Sequence, residues 1–212
     1  ESMKHPARYN KSFLPIFAGM LKGSESVLDP MAGTGERLKE LSLLLPDTNF
    51  YGIEIEPEWA NVTPEIVKVG NILKLPFENE SISNILVSPP YGNRMADSHN
   101  AKDQSRRNTY RHILGRQLSS ESSAGMQWGA RYKEFHIKAW IECYRVAKEG
   151  FVLNVKNHIR GGKEIDVVKW HIDTLTGIGF TVYSVYEIPC GGNTFGANRQ
   201  RVENEYIIQF KK

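Results

Sequence analysis

The feature that most constrains the fold is a glycine-rich turn between an apolar run and an amphipathic run. The short apolar stretch within residues 26–30 predicts a buried strand that ends in a turn, and leucines at helical spacing predict a helix at residues 36–45. Gly33 and Gly35 stand in the turn between them. A strand, a glycine-rich turn and a helix in this order are typical of α/β proteins, whose parallel sheets bind ligands at such turns.

Strand and helix patterns alternate along most of the chain. Further helices are predicted at residues 12–21, 132–147 and about 164–176, and further strands at 50–55, 66–69, 82–87, 151–155, 181–188 and 205–210. This alternation predicts an α/β fold with a mostly parallel seven-stranded sheet and helices on both faces. The last two strands predict an antiparallel hairpin at one edge of the sheet.

A polar segment at about residues 92–130 interrupts the alternation. It is rich in Ser, Asn, Arg and Gly and predicts a long loop or lid, which is unusual in a compact domain unless it is functional or disordered. It is expected either to clamp phosphates or to be a solvated insertion. The basic connection at residues 198–201 is expected either to join the same substrate face or to be an ordinary hairpin loop. The basic side chains of the insertion are Arg94, Lys102, Arg106, Arg107, Arg111 and Arg116.

Length and composition bound the class of protein. A chain of 212 residues with 40% hydrophobic content predicts one domain over residues 1–212. The formal charge of +3 permits a polyanionic partner without requiring one. Cys143 and Cys190 lie far apart, which argues against a disulfide framework or a metal site. No run approaches the roughly 20 apolar residues of a membrane span, so a cytoplasmic protein without a membrane partner is expected.

The glycine-rich turn has the composition of a ligand-binding turn. Small residues in Asp29-Pro30-Met31-Ala32-Gly33-Thr34-Gly35 let the backbone approach a ligand, and the amides that begin the next helix receive polar groups. A dinucleotide fingerprint needs a third small residue where Leu38 stands, which disfavours a nicotinamide oxidoreductase. Glu54 ends the next strand, where such folds place an acid that binds ribose hydroxyls. Taken alone, the two glycines are explained by an ordinary tight turn, and Glu54 by an ordinary exposed carboxylate after a strand.

A second motif, Ser88-Pro89-Pro90-Tyr91, follows the fourth predicted strand. Two successive prolines fix an extended, rigid turn at the carboxyl end of the sheet. Such a turn holds the Ser88 side chain and the Pro89 carbonyl as acceptors for a substrate amino group, while Tyr91 offers a face on which a base can stack. Taken alone, the two prolines are explained by a rigid surface turn. The position of this motif after the glycine turn and Glu54, in this order and spacing, favours a functional site. Lys156 follows the strand at 151–155 towards the same edge and is given no role.

Together these motifs resemble the amino-methyltransferase branch of the Rossmann-like (class I) S-adenosylmethionine enzymes, which includes DNA adenine-N6 and cytosine-N4 methylases. The resemblance extends from about Tyr9 to the end of the chain. It implies S-adenosylmethionine as the cofactor. It also implies that the glycine turn holds the methionine part, that the acid binds ribose, that the next residue packs on adenine, and that an amide replaces the family's usual aspartate at the adenine amino group. The cofactor-binding residues so implied are Asp29, Pro30, Ala32, Gly33, Gly35, Glu54, Ile55 and Asn71.

The resemblance implies Ser88, Pro89, Pro90 and Tyr91 as the catalytic residues. Ser88 and the Pro89 carbonyl hold the two amino hydrogens and direct the nitrogen lone pair at the methyl group, so neither a metal nor a covalent intermediate is expected. A base within a duplex would have to be flipped out of the stack.

The substrate stays open between several classes. DNA is expected ahead of RNA, with cytosine N4 or adenine N6 as the target. The alternatives are an RNA methyltransferase of the tRNA guanine-N2 type, a protein-glutamine methylase, and a catalytically silent cofactor-binding subunit. The sequence makes no prediction of the oligomeric state.

Overall fold

The computed structural model describes residues 5, 7–93, 110–190 and 202–212. Short 3-10 turns lie at Lys11–Phe13 and Ser123–Gly125. The helices are α1 Leu14–Leu21, α2 Glu36–Leu44, α3 Pro57–Ala60, α4 Tyr110–Leu114, α5 Ala130–Val146 and α6 Val167–Ile178. The strands are β1 Ser26–Asp29, β2 Asn49–Glu54, β3 Val67–Val69, β4 Ile82–Val87, β5 Ala147–Val155, β6 His158–Arg160, β7 Lys163–Ile165, β8 Thr181–Pro189 and β9 Asn204–Lys211.

The main sheet has seven strands in the order β3-β2-β1-β4-β5-β9-β8. The first five are parallel, and β9 runs antiparallel to both β5 and β8. The predicted mostly parallel sheet with a C-terminal antiparallel hairpin is therefore confirmed. The strand order reverses between β1 and β4, and open α/β sheets bind ligands beyond the carboxyl ends of the strands at such a point.

Apolar side chains cover both faces of the central strands. Val27 of β1 packs with Phe17 and Leu21 of α1 on one face, while Leu28 joins the cluster around Trp140 of α5 on the other. All six residues of β4 are buried. Strands buried on both faces are rich in apolar residues, and the short apolar stretches Val27-Leu28 in β1 and Ile85-Leu86-Val87 in β4 made both strands predictable.

Two predicted boundaries are wrong. The helix predicted from residue 164 begins at Val167, because the Asp166 side chain caps it by accepting from the Lys169 backbone N–H at 3.0 Å. Glu164 lies instead in β7, which pairs with β6 in a hairpin that was not predicted. The strand predicted from residue 151 begins at Ala147. Gly150 within it lies so close to β9 that a Cβ atom there would be 2.3 Å from the Phe210 carbonyl oxygen.

The described second half of the polar insertion is not a loop throughout. Its second half contains α4, whose buried Tyr110 and Leu114 pack against Trp59 of the unpredicted helix α3. Residues 94–109, which include four of the basic side chains noted above, and the connection at 198–201 lie outside the described residues. Within the described part of the chain, no helix has the length and apolar character needed to cross a membrane.

Candidate functional site

A cavity of about 500 Å³ opens where β1, β2 and β4 end at the carboxyl edge of the sheet. This volume is in the range of small-molecule sites. Among the described residues, no cluster of His, Cys, Asp and Glu side chains could hold a metal ion. Every predicted site residue except Asp29 lines the cavity: Pro30, Ala32, Gly33, Gly35, Glu54, Ile55, Asn71, Ser88, Pro89, Pro90 and Tyr91.

The turn after β1 requires glycine at two positions. Gly35 has φ 72° where α2 begins, and a Cβ atom there would lie 2.4 Å from Val67 Cγ2. Gly33 has φ 56°, and its missing side chain leaves room for the His5 ring, 3.2 Å from where a Cβ would be. The Ala32 N–H donates to the Ile53 carbonyl at 3.0 Å, which pins the turn to β2. The turn is thus fixed with its backbone facing the cavity.

Asp29 supports this turn from behind. Its Oδ1 accepts from the Met31 N–H at 3.0 Å and its Oδ2 from the Tyr9 hydroxyl at 3.4 Å. Burial raises the pKa of Asp29 to about 7, against these two hydrogen bonds, which lower it. The side chain is 1% exposed and does not line the cavity, so its role in the site is to shape the turn.

Glu54 lies in the cavity wall and is already held by the backbone. Its Oε2 accepts from the Gly33 N–H at 2.9 Å and its Oε1 from the Glu56 N–H at 3.0 Å. Burial raises the pKa of Glu54 to about 7, although both backbone N–H groups oppose the rise. A carboxylate offers about four lone-pair positions, so Glu54 can still accept from the hydroxyl groups of a ligand.

Two further side chains in the wall have hydrogen-bonding capacity. Asn71 Oδ1 accepts from the Leu73 N–H at 2.9 Å, which uses one of its two lone pairs and leaves one for a ligand. The indole N–H of Trp59 is buried and finds no acceptor among the described residues. A buried donor without a partner is rare in folded proteins, and a nitrogen or oxygen acceptor of a bound ligand would satisfy it.

An ion pair ties the described part of the insertion to the loop after β2. Arg116 Nη2 lies 2.6 Å from Glu56 Oε2 and 2.5 Å from Glu58 Oε2. Glu56 is fully buried and also accepts from the Ser119 N–H at 2.7 Å. These bonds hold residues 121–124 along the cavity. Arg116, noted above as a candidate for binding phosphates, is instead neutralised by two carboxylates.

The Pro-Pro turn after β4 is held by a buried polar chain. The Pro90 carbonyl accepts from the Tyr132 hydroxyl at 2.5 Å, and that hydroxyl lies 2.9 Å from His171 Nε2. Trp140 Nε1 donates to His171 Nδ1 at 2.9 Å, so His171 carries its proton on Nε2 and donates it to Tyr132. Burial lowers the pKa of His171 well below its ordinary value, which keeps the ring neutral. The carbonyl of Pro89 forms no hydrogen bond within the described residues.

A carboxylate that sequence reasoning missed lies beside the Pro-Pro turn. The Tyr91 hydroxyl donates to Glu205 Oε1 at 3.1 Å and lies 3.3 Å from Ser88 Oγ, while Lys156 Nζ is 5.9 Å from the centre of the Tyr91 ring. Burial and the charge of Glu205 raise the pKa of Tyr91. Because β9 is antiparallel, Glu205 near its start reaches the edge where the parallel strands end. The available signal was an acid just before the apolar stretch Tyr206-Ile207-Ile208 of the closing strand.

No protein-family model matches this sequence, and no curated protein matches it. Solved structures do match. The chain aligns with an S-adenosylmethionine-dependent methyltransferase from Methanosarcina mazei at a TM-score of 0.58 and 14% identity, covering 93% of this chain and 97% of that one. It aligns with a possible histamine N-methyltransferase from Thermotoga maritima at a TM-score of 0.54 and 16% identity, covering 95% and 88%.

A third match is a suggested sarcosine dimethylglycine methyltransferase from Galdieria sulphuraria, with a TM-score of 0.53 and 14% identity. The alignment covers 84% of this chain and only 62% of that longer protein. Identities this low show a shared fold and no more. The chain therefore has the Rossmann-like fold of S-adenosylmethionine-dependent methyltransferases, as the sequence predicted.

Proposed function

We propose that this protein is an S-adenosylmethionine-dependent methyltransferase that acts on an exocyclic amino group of a nucleic-acid base, with DNA favoured over RNA. One observation carries the proposal. The glycine turn with Glu54 and the Ser88-Pro89-Pro90-Tyr91 turn line the same cavity. A cofactor and a planar amino group bound in that cavity would be neighbours. We expect the enzyme to act in the cytoplasm as one methyltransferase domain.

The residues at the β1–β2 end of the cavity fit the cofactor. Gly33 and Gly35 would face its methionine part, Glu54 would accept from its ribose hydroxyls, and Ile55 with Asn71 would adjoin the adenine. The indole N–H of Trp59, which finds no acceptor among the described residues, would provide a donor for the same ligand. When bound, S-adenosylmethionine supplies a methyl group activated by a positively charged sulfur.

The residues at the β4–β5 end fit a substrate amino group. The Ser88 hydroxyl and the Pro89 carbonyl would accept its two hydrogens and so hold the nitrogen in one orientation. As the nitrogen becomes positive during transfer, both acceptors bind its hydrogens more strongly, which lowers the barrier. Tyr91, with its hydroxyl tied to Glu205, presents a fixed aromatic ring for stacking. Lys156 in the cavity wall adds a positive charge on the side where a polyanion would enter.

Methyl transfer from radiolabelled S-adenosylmethionine to duplex DNA, single-stranded DNA, total tRNA and a protein extract tests the proposal, followed by nucleoside analysis. Label on a base amino group of DNA is expected, and its rate of formation should fall by about tenfold or more in Ser88→Ala, because one acceptor of the amino hydrogens is lost. Ser81→Ala, which changes an exposed serine beside the opposite end of β4, is the matched control and should keep full activity.

The other outcomes separate the alternatives. Label only in tRNA would move the enzyme to the RNA class, and label only in protein would indicate a glutamine amide as the acceptor. Cofactor binding without label on any substrate would indicate a catalytically silent subunit. Each of these three results would contradict the DNA proposal.

A further inference from the structure

A chain of hydrogen bonds leads from the sheet to the Ser88 hydroxyl. Asn154 of β5 is fully buried, and its Nδ2 donates to Glu205 Oε1 at 3.1 Å. The Tyr91 hydroxyl donates to the same oxygen at 3.1 Å, and Ser88 Oγ lies 3.3 Å from the Tyr91 hydroxyl oxygen. Ser88, Tyr91 and Glu205 all line the cavity.

The number of hydrogens that each group carries determines the direction of each of these hydrogen bonds. A carboxylate has no proton and only accepts hydrogen bonds, so the Tyr91 hydroxyl must donate its single hydrogen to Glu205. The contact between Ser88 and Tyr91 can then be made only with the hydrogen of Ser88. A serine hydroxyl also has one hydrogen, so the lone pairs of Ser88 Oγ remain for a group that reaches it from the cavity.

We propose that Glu205 is a positioning residue that acts through Tyr91 to make Ser88 a hydrogen-bond acceptor towards the substrate. This inference rests on the proposed function, because an amino group presents hydrogens and requires acceptors. Without the carboxylate, Tyr91 donates to Ser88 instead. The Ser88 hydrogen then turns towards the cavity and opposes the hydrogens of the amino group. Ser88 therefore depends on Glu205 for its polarity, whereas the Pro89 carbonyl is an acceptor in any case.

Two substitutions at one position test this inference. Glu205→Gln keeps an acceptor oxygen for Tyr91 and Asn154, whereas Glu205→Met has similar length and no comparable acceptor. Glu205→Met is expected to lower kcat by about tenfold or more, the size expected for one hydrogen bond lost in the transition state. Cofactor affinity and KM should stay within about twofold, because the acceptor matters most as the nitrogen becomes positive. Glu205→Gln should recover most of kcat.

The split between kcat and KM separates this role from a merely structural one. A residue that only ties β9 to the turn would lower thermal stability and cofactor binding together with kcat. Wild-type kcat in Glu205→Met would overturn the inference. So would equal losses in the Gln and Met variants, since the negative charge and not the acceptor would then be the active feature.

A double substitution tests whether Glu205 acts through Tyr91. Tyr91→Phe removes the link between Glu205 and Ser88, so adding Glu205→Met to it should cost no further activity. A double variant in which the two losses multiply would contradict the inference. All variants are compared at equal folded fraction, measured by thermal unfolding.

A measurement without substrate keeps this inference separate from the proposed function. In protein labelled with 3-fluorotyrosine, the fluorine resonance of Tyr91 is identified by its disappearance in Tyr91→Phe. It should shift in Glu205→Met and in Ser88→Ala, and stay close to its wild-type position in Glu205→Gln. If it stays in place in Glu205→Met, the inference fails by itself. If instead the wild-type protein methylates no substrate, the proposed function fails while the hydrogen-bond chain is still tested.

Discussion

Replacing Tyr132 with Phe removes one hydroxyl group from beneath the Ser88-Pro89-Pro90-Tyr91 turn. That hydroxyl donates to the Pro90 carbonyl and accepts from His171, and Tyr132 and His171 are each 0% exposed. The substitution keeps the ring and its packing against Trp128 and His136. It therefore isolates the polar chain from the apolar core.

The expected loss in the free energy of unfolding depends on which groups are left without a hydrogen-bond partner. The Nε2–H of His171 has no access to water, and an unpaired buried donor costs about 1–3 kcal/mol. The Pro90 carbonyl borders the cavity, where water can replace the lost donor. We therefore expect a loss of about 1–3 kcal/mol in the free energy of unfolding. For a chain of this length that corresponds to a fall of roughly 2–12 °C in Tm.

Thermal unfolding and single-turnover methyl transfer measure the two consequences of Tyr132→Phe. Tm should fall, and kcat should fall because the Pro-Pro turn loses its support, while cofactor affinity should be unchanged because the glycine turn is at the other end of the cavity. Tyr183→Phe, at a side chain that is 67% exposed, is the control and should change neither quantity. A Tyr132→Phe protein as stable and as active as the wild type would refute the assigned role of the buried chain.

Three further predictions concern the cofactor end of the cavity. Gly35→Ala places a Cβ atom 2.4 Å from a valine side chain and should lower both stability and cofactor affinity. Gly115→Ala is the control, because Gly115 has a similar φ of 71° and open space around it. This control should leave cofactor affinity unchanged in a binding titration. Arg116→Met leaves a fully buried carboxylate unpaired and should cost about 1–3 kcal/mol by chemical denaturation, because the arginine is partly exposed and solvent screens the pair, while breaking an exposed ion pair with Lys39→Met should cost about 0–1 kcal/mol. The pKa of Glu54 is raised to about 7 by burial, so the folded state holds more protons than the unfolded state between about pH 4.5 and 7 and its stability falls as pH rises through that range; Glu54→Gln should lose this contribution, and an identical Tm slope in both proteins would contradict it.

Much of the fold was predictable because local patterns report burial. β1 and β4 are buried along their whole length, and each contains a short apolar stretch that indicates this burial. The glycine turn is fixed by the sterics of a few adjacent residues. The β6–β7 hairpin was missed because each strand has only three residues. Of the residues in the two strands, only His158 is buried. Strands this short and exposed show no alternation of apolar and polar residues.

The part of the site that was missed depends on contacts distant in sequence. Tyr91 and Glu205 are 114 residues apart and meet only because β9 pairs with β5. Arg116 and Glu56 are 60 residues apart, and their pairing reverses the role expected of an arginine in a basic insertion. Motifs reveal residues that act within one turn, whereas groups assembled from several strands become visible only once the sheet order is known.

The most direct test of the account is mass spectrometry of nucleosides from DNA treated with the protein and S-adenosylmethionine carrying a trideuterated methyl group. The account predicts the labelled methyl group on an exocyclic amino nitrogen of one base. The wild type and Ser81→Ala should give equal initial rates of labelling, and Ser88→Ala a rate lower by about tenfold or more. Label on a ring carbon, or equal label with Ser88→Ala, would contradict it.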